Sequence, residues 1–186
     1  MQQWMELLEA NPVIPALKEE ADIEIVIKND AKIVFILFGD LVSIPTIVKR
    51  LKEAGIVVFV NIDLISGFSN KDVVADFVKK NTLADGIISS KASLLRYAKG
   101  IGFSTIHRFF LVDSFSYNSI QKQLDISKAD MVNILPGWPK VVSWICEEVD
   151  KPVIAAGLVC DRESVNANLN AGAIAICSTN HAVWEM

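Results

Sequence analysis

Eight short apolar runs recur along the chain, and they constrain its fold more than any other feature of the sequence. The runs occupy residues 13–17, 32–38, 57–64, 86–89, 105–112, 131–135, 153–156 and 173–177. In most of them apolar residues follow one another directly, which is typical of parallel strands that are covered on both faces. The pattern therefore predicts a parallel α/β structure with eight strands.

The segments between these runs have the spacing of amphipathic helices. In the clearest one, Ile44, Ile47, Val48 and Leu51 share one face, and Gly55 follows at the position of a C-terminal cap. Similar spacing recurs in three further segments, at residues 73–78, 141–149 and 161–172. We expect a helix in each of them, lying between two parallel strands.

The first and fourth connections are less clear. Residues 23–27 have both helical and strand-like spacing, but a helix is expected there because parallel neighbours need a crossover. Residues 92–99 leave room for about two helical turns. Each of the eight units has about 23 residues, against ~30 in a comfortable unit, so we expect short helices and allow for the loss of one.

Strict alternation of strands and helices fits either a closed barrel or an open doubly wound sheet. The first strand is not followed by the glycine fingerprint of a dinucleotide-binding sheet. Together with the count of eight strands, this favours a compact α/β fold of the TIM (β/α)8 type, with a single domain over residues 1–186. A flavodoxin-like or Rossmann sheet is the alternative.

The composition is that of a folded chain without a membrane segment. Hydrophobic residues make up 52% and charged residues 22%, and the apolar runs stop well short of the ~20 residues of a membrane span. The N-terminus lacks the features of a signal peptide, so a cytoplasmic protein is expected. The formal net charge is -4 and no basic cluster stands out, which predicts no global attraction to nucleic acid.

The thiols and motifs predict neither a metal nor a cofactor. Cys146, Cys160 and Cys177 form no CxxC pair and are expected to be reduced structural thiols. The sequence also lacks a paired-histidine metal motif, a Walker loop and a nucleophile elbow.

Polar residues at the carboxyl ends of the predicted strands are the candidates for a binding site, because those ends meet at one face of a barrel. Gly157 follows the seventh strand, and Ser178, Thr179 and Asn180 follow the eighth. Small residues and amide groups at these two turns predict a phosphate-binding site. Alternatively, the same residues only end strands and cap helices.

Further candidates follow the third to sixth strands: Asn61, Asp63, Lys91, Asp113 and Gly137. Asn61 and Asp63 are two residues apart, so they are expected to point to the same side of a strand. The carboxylates could bind hydroxyl groups or act as general acid and base. Lys91 could be a Schiff-base nucleophile or a counter-ion. A phosphate-handling enzyme, such as an isomerase, aldolase or prenyltransferase, therefore stays open.

His107 and Arg108 come early in the predicted fifth strand, away from the expected ligand face. A histidine flanked by aromatic residues is expected to be a structural group with satisfied hydrogen bonds. Arg108 is expected to pair with an acid near the other end of the barrel.

The ordered motifs of the chain resemble those of the bacterial glycerol uptake operon antiterminator regulatory proteins. The shared runs are PVIPA at 12–16, VNIDLISG at 60–67, GIISSK at 86–91, RFFLVDS at 108–114, LPG at 135–137 and PVIAAG at 152–157. In the third-strand motif, Asn61 stands where the best-known members have a histidine.

That resemblance implies a TIM-barrel sensor that binds glycerol 3-phosphate and acts on the leader mRNA of glycerol-utilisation genes. No cofactor and no chemical step are implied, and homo-oligomers are compatible with it. By position in the motifs, the resemblance places Gly157 and the turn at 178–180 around the phosphate. It places Asp63, Lys91, Asp113 and Gly137 around the glycerol moiety.

Overall fold

The computed structural model describes residues 2–186 and shows a closed barrel of eight parallel strands in chain order. The strands are β1 (Val13–Leu17), β2 (Ile33–Ile36), β3 (Val57–Asn61), β4 (Gly86–Ser89), β5 (Ser104–Phe110), β6 (Met131–Leu135), β7 (Val153–Ala156) and β8 (Ala175–Ser178). Pairing of β1 with β8 closes the barrel. The predicted TIM-type fold is therefore confirmed, and the open-sheet alternative is wrong.

Each strand is followed by a helix that packs on the outside of the barrel. These helices are α2 (Ala21–Lys28), α3 (Ile44–Glu53), α4 (Asp72–Asn81), α5 (Ala92–Gly100), α6 (Ser114–Ser127), α7 (Pro139–Glu148), α8 (Arg162–Asn170) and α9 (His181–Trp184), and a further helix, α1 (Gln2–Ala10), precedes β1. The two uncertain connections are both helical, as α2 and α5. The allowance for a missing helix was unnecessary, because short helices fit all eight units.

The third strand is shorter than predicted. It ends at Asn61, and Ile62–Leu64 form a 3-10 turn instead of continuing the strand. The side chain of Asn61 accepts a hydrogen bond from the Asp63 amide at 3.2 Å, and this bond caps the turn. Asp63 consequently leaves the strand and does not share the inward direction of Asn61.

Helix α1 closes the amino-terminal end of the barrel. Leu8 is fully buried among the inward-facing side chains. The Trp4 indole donates a hydrogen bond to the Ser104 hydroxyl at 2.8 Å. Its ring packs edge to face against the Phe59 ring, with the ring centroids 5.8 Å apart. Since this end is filled by packed side chains, space for a ligand remains at the carboxyl ends of the strands.

The outer layer follows the pattern read from the sequence. The four apolar residues of α3 that share one face are all buried against the sheet. Among the described residues, no helix is both long enough and apolar enough to span a membrane.

Packing inside the barrel predicts a strict requirement for glycine at position 86. A Cβ atom there would lie 2.1 Å from the Phe59 ring and 2.6 Å from the Ser104 carbonyl oxygen. We expect Gly86→Ala to lower the free energy of unfolding by about 2 to 3 kcal/mol through overpacking. Urea denaturation would measure the change.

Gly100→Ala is the matched control, because no atom lies within 4 Å of a Cβ at that position near the end of α5. This substitution should change stability by less than about 1 kcal/mol, in the stabilising direction. Equal effects of the two substitutions would contradict the packing argument.

Candidate functional site

A cavity of about 150 Å³ lies inside the barrel at the carboxyl ends of the strands. Every strand contributes to its wall. The inner part is apolar and includes Phe35 and Ile88, whereas the polar side chains Asn61, Arg108 and Asn133 come from β3, β5 and β6. The cavity therefore offers an apolar floor and a polar upper wall to a small ligand.

The turns after β7 and β8 form one side of the cavity rim. Gly157 adopts a φ of +70°, in the left-handed region that favours glycine, and it turns the chain away from β7. Ser178, Thr179 and Asn180 line the cavity beside it. The structure thus brings together all four residues that the sequence placed around a phosphate.

Two hydrogen bonds hold these turns together. The Ser178 hydroxyl donates to the Val159 carbonyl oxygen at 2.9 Å, and the Asn180 side-chain amide donates to the Cys160 carbonyl oxygen at 2.9 Å. The other atom of the Asn180 side chain accepts from the Ala182 amide, which caps α9. These side chains therefore also end a strand and cap a helix, which was the alternative to phosphate binding.

Gly137 supports this rim from behind. Its amide donates to the Gly157 carbonyl oxygen at 2.9 Å. A Cβ at position 137 would lie 2.6 Å from a Val159 methyl group, so glycine is needed for the close approach. Gly137 is not part of the cavity wall and acts by positioning the turn that contains Gly157.

Asp63 lies outside the cavity. Its carboxylate accepts hydrogen bonds from the Ser89 hydroxyl and the Ser90 amide, both at 2.6 Å. These bonds fix the end of β4 to the turn after β3. The prediction that Asn61 and Asp63 point to the same side is wrong, because the strand ends before Asp63.

Lys91 and Asp113 also lie apart from the cavity lining. Lys91 precedes α5 and lines a separate groove on the outside of the barrel. Asp113 caps α6, and its carboxylate accepts from the Ser116 amide at 2.8 Å. Hydrogen bonds from Ser116 lower the pKa of Asp113 below its ordinary value. The three residues that suggested acid, base and nucleophile therefore do not converge on one pocket.

Arg108 is the cavity residue that the sequence reasoning misplaced. It lies on β5 opposite Asn133 of β6, and its side chain lines the cavity wall. Burial lowers the pKa of its guanidinium, and its Nε is buried without a hydrogen-bond partner. Within residues 2–186, no carboxylate oxygen lies within 4.0 Å of it. The expected ion pair at the far end of the barrel is therefore wrong.

Strand alternation could have identified Arg108. In β5, His107 and Phe109 face the outer helices, so Arg108 between them must face the barrel interior. The guanidinium extends over the Phe110 ring, at 4.8 Å from the ring centroid. Phe110 is half exposed, so the charged group lies at the mouth of the barrel.

His107 and Cys177 are buried neighbours of the site. The His107 ring is hydrogen-bonded to the Ser127 hydroxyl at 3.0 Å, and burial lowers its pKa to about 4. Burial likewise raises the pKa of the Cys177 thiol to about 12. Both groups are therefore neutral near pH 7, and the positive charge of the wall belongs to Arg108.

Comparisons with known proteins match this chain over nearly its whole length. The family described as glycerol-3-phosphate responsive antiterminator matches residues 13–184. The protein YgcP of Escherichia coli (strain K12), described as uncharacterized, is 45% identical over 183 residues, covering 98% of this chain and 96% of that protein.

Two crystal structures extend the match to three dimensions. The glycerol uptake operon antiterminator regulatory protein of Listeria monocytogenes is 31% identical with a TM-score of 0.91, covering 94% of this chain and 95% of that one. A related protein of Thermotoga maritima is 33% identical with a TM-score of 0.82, covering 94% and 98%.

The burial of His107 predicts a pH dependence of stability. Its pKa is about 4 in the folded protein against an ordinary value of 6.5, so the unfolded chain binds more protons between these values. The stabilisation is complete above about pH 6.5 and is lost as the pH falls towards 4, by about 3 kcal/mol in total. Denaturant unfolding from pH 7 to pH 4 would measure it.

In His107→Gln this part of the pH dependence should disappear, although the variant is less stable at pH 7. His181→Gln, which changes the second histidine of the chain, should keep the fall that His107 causes. If the free energy of unfolding of His107→Gln falls between pH 7 and pH 4 as steeply as that of the unaltered protein, His107 is not the cause of this pH dependence.

Proposed function

The chain belongs to the glycerol-3-phosphate responsive antiterminator family, and on that premise we propose that it binds glycerol 3-phosphate in the barrel cavity. We propose further that the loaded protein acts in the cytoplasm on the leader mRNA of glycerol-utilisation genes and prevents early termination. The ligand proposal depends on one observation: Arg108 lines the cavity, and its buried Nε has no hydrogen-bond partner among the described residues.

The phosphate is assigned to the space between Arg108 and the rim turns after β7 and β8. A guanidinium can donate two parallel hydrogen bonds to a phosphate, and such charge-assisted bonds are about twice as strong as neutral ones. Backbone amides of a tight turn at Gly157 add donors without adding charge. An anion at this place would compensate a cation that forms no ion pair with the described residues.

The glycerol moiety is assigned to the two amide side chains of the upper wall. Asn133 donates through its amide nitrogen to the Ile154 carbonyl oxygen at 3.1 Å, which leaves its oxygen for a hydroxyl donor. Asn61 accepts through its oxygen from the Asp63 amide, which leaves its nitrogen as a donor. One acceptor and one donor suit the two hydroxyl groups of a glycerol phosphate.

The proposal includes no chemical step. The alternative hypothesis of a phosphate-handling enzyme depended on Asp63, Lys91 and Asp113. Those residues lie outside the cavity and contact other parts of the molecule. The polar groups of the cavity wall are amides, hydroxyls, two thiols and a guanidinium. They are suited to recognising a phosphorylated polyol, which is what a sensor requires.

Glycerol 3-phosphate should raise the melting temperature of the protein. Binding to the native state alone at 100 times Kd contributes about 2.7 kcal/mol, which corresponds to about 5 to 10 °C for a chain of this size. Free glycerol should give no shift, because it lacks the anion. A thermal-shift assay with both compounds at millimolar concentration would measure this.

The same assay tests the role of Arg108. Arg108→Met should weaken binding about tenfold to a hundredfold, since it removes charge-assisted hydrogen bonds of about 1.5 to 3 kcal/mol. Lys91→Met is the matched control, because it removes one positive charge outside the cavity and should keep the full shift. An unchanged shift in Arg108→Met would exclude the proposed phosphate site.

The regulatory half of the proposal predicts an effect on transcription. In single-round transcription of a glycerol-utilisation leader with its terminator, the protein with glycerol 3-phosphate should increase readthrough severalfold over the protein with glycerol. The lengths of the transcripts on a gel would give the ratio. Unchanged readthrough together with a normal thermal shift would remove the regulatory role and leave the ligand site intact.

A further inference from the structure

An open groove of about 590 Å³ lies between α5 and α6, on the outer side of the barrel mouth. We call it the α5–α6 groove. Polar residues line it from the turn between β4 and α5, from β5 and from α6, among them Ser90, Lys91, Arg108, Ser119 and Gln123. Among the described residues, none that lines this groove is an aspartate or a glutamate.

The sequence around the groove has an excess of positive charge. Residues 86–124, between Asp85 and Asp125, include five basic residues and one acidic residue, Asp113, and one of the five, Lys99, is ion-paired with Asp130. The whole chain has 18 basic and 22 acidic residues, so the remainder of the molecule is acidic. The basic residues are spaced along two helices and a strand, which is why no cluster stands out in the sequence.

Apolar side chains are exposed next to this charge. Phe115 and Val112 are 83% and 82% exposed, and Phe110 is 53% exposed at the edge of the groove. The first half of α6, residues 114–121, has no charged side chain. Phe110 lines the groove, and Phe115 lies four residues before Ser119 on α6, so it is on the helix face that borders the groove.

We propose that the α5–α6 groove binds a single-stranded segment of RNA. Bases would stack on Phe110 and Phe115, and Lys91 and Lys122 would contact the phosphates, as in aromatic and basic surfaces that bind single strands. This inference rests on the proposed action on leader mRNA and assigns the surface that performs it. A second copy of the chain fits less well, because lysine is depleted in the centres of protein interfaces.

Arg108 connects this groove to the ligand cavity, because this residue lines both. In the structure its guanidinium covers the Phe110 ring at 4.8 Å. A phosphate in the cavity attracts the guanidinium away from that ring and exposes the ring face to a base. Ligand binding therefore favours RNA binding through competition for a single side chain.

The surface can be mapped with RNA of random sequence. The probe is a pool of 30-nucleotide single-stranded RNAs that contain 4-thiouridine, mixed with the full chain with and without 5 mM glycerol 3-phosphate. After irradiation, mass spectrometry identifies the crosslinked residues. We expect crosslinks at Phe110 and Phe115, with a higher yield when glycerol 3-phosphate is present.

Variants of exposed residues test the contribution of each contact. Phe115→Ser should weaken RNA binding about tenfold in filter binding, which is the loss of one stacked base. Lys91→Glu should weaken it and reduce the slope of log Kd against log salt by about one, because a phosphate contact is lost. Both variants should retain the thermal shift with glycerol 3-phosphate, since neither residue lines the cavity.

Matched controls come from the other side of the molecule. Val42→Ser changes an apolar residue that is 83% exposed after β2, and Lys28→Glu reverses a charge on α2. Both should bind RNA like the unaltered chain. Crosslinks confined to other residues, such as the exposed Trp138, would overturn the surface assignment and leave the proposed function standing.

Two further outcomes count against the inference. Equal loss of RNA binding in the groove variants and their controls would show general charge or solubility effects and would overturn it. If the unaltered chain binds no RNA of the pool at 100 µM, with or without glycerol 3-phosphate, both this inference and the proposed action on mRNA are wrong. A normal thermal shift in that case would leave the ligand site standing alone.

Discussion

The site depends on a positive charge that the protein itself does not neutralise. Arg108 is partly withdrawn from water in the barrel wall, its Nε has no hydrogen-bond partner among the described residues, and the Asp63 carboxylate acts on it only through its field, without an ion pair. Removing a charged group from water is unfavourable unless a counter-charge compensates it. The cation–π contact with Phe110 offsets only part of that cost. The barrel without ligand therefore holds a charge whose stabilisation is completed by an anion.

The rest of the fold keeps this arrangement in place by closing one end of the barrel. Trp4, Leu8 and Phe59 fill the amino-terminal half with packed apolar side chains, and Gly86 is small because the Phe59 ring occupies the space. The packed half holds the strands rigidly, whereas the polar side chains and the left-handed turn at Gly157 lie at the opposite end. Stability and recognition are thus located at different ends of the same strands.

The parts of the fold that could be predicted are those that repeat a simple period. All eight strands were recognisable because buried parallel strands are apolar on both faces, and α3 was recognisable from its apolar stripe. The turn after β3 was missed because Ile62 and Leu64 extend the apolar run, whereas Asn61 ends the strand by accepting the Asp63 amide. Arg108 was misplaced for a different reason. Its position along β5 suggested the far end of the barrel, but the stagger of the strands in a closed barrel brings this position to the mouth.

A side chain shared by a cavity and a groove makes two binding events interdependent. The Arg108 guanidinium can contact a phosphate in the cavity or cover the Phe110 ring, and each contact weakens the other because both use the same group. Anything that engages the covered face of Phe110 displaces the guanidinium and makes it available to the anion. Thermodynamic linkage requires such an effect to be equal in both directions. If the proposal holds, RNA in the α5–α6 groove raises the affinity for the small ligand by the factor by which that ligand raises the affinity for RNA. In this proposal the two states differ in the position of one side chain at the barrel mouth, so a sensor of this kind would need no movement of the barrel itself.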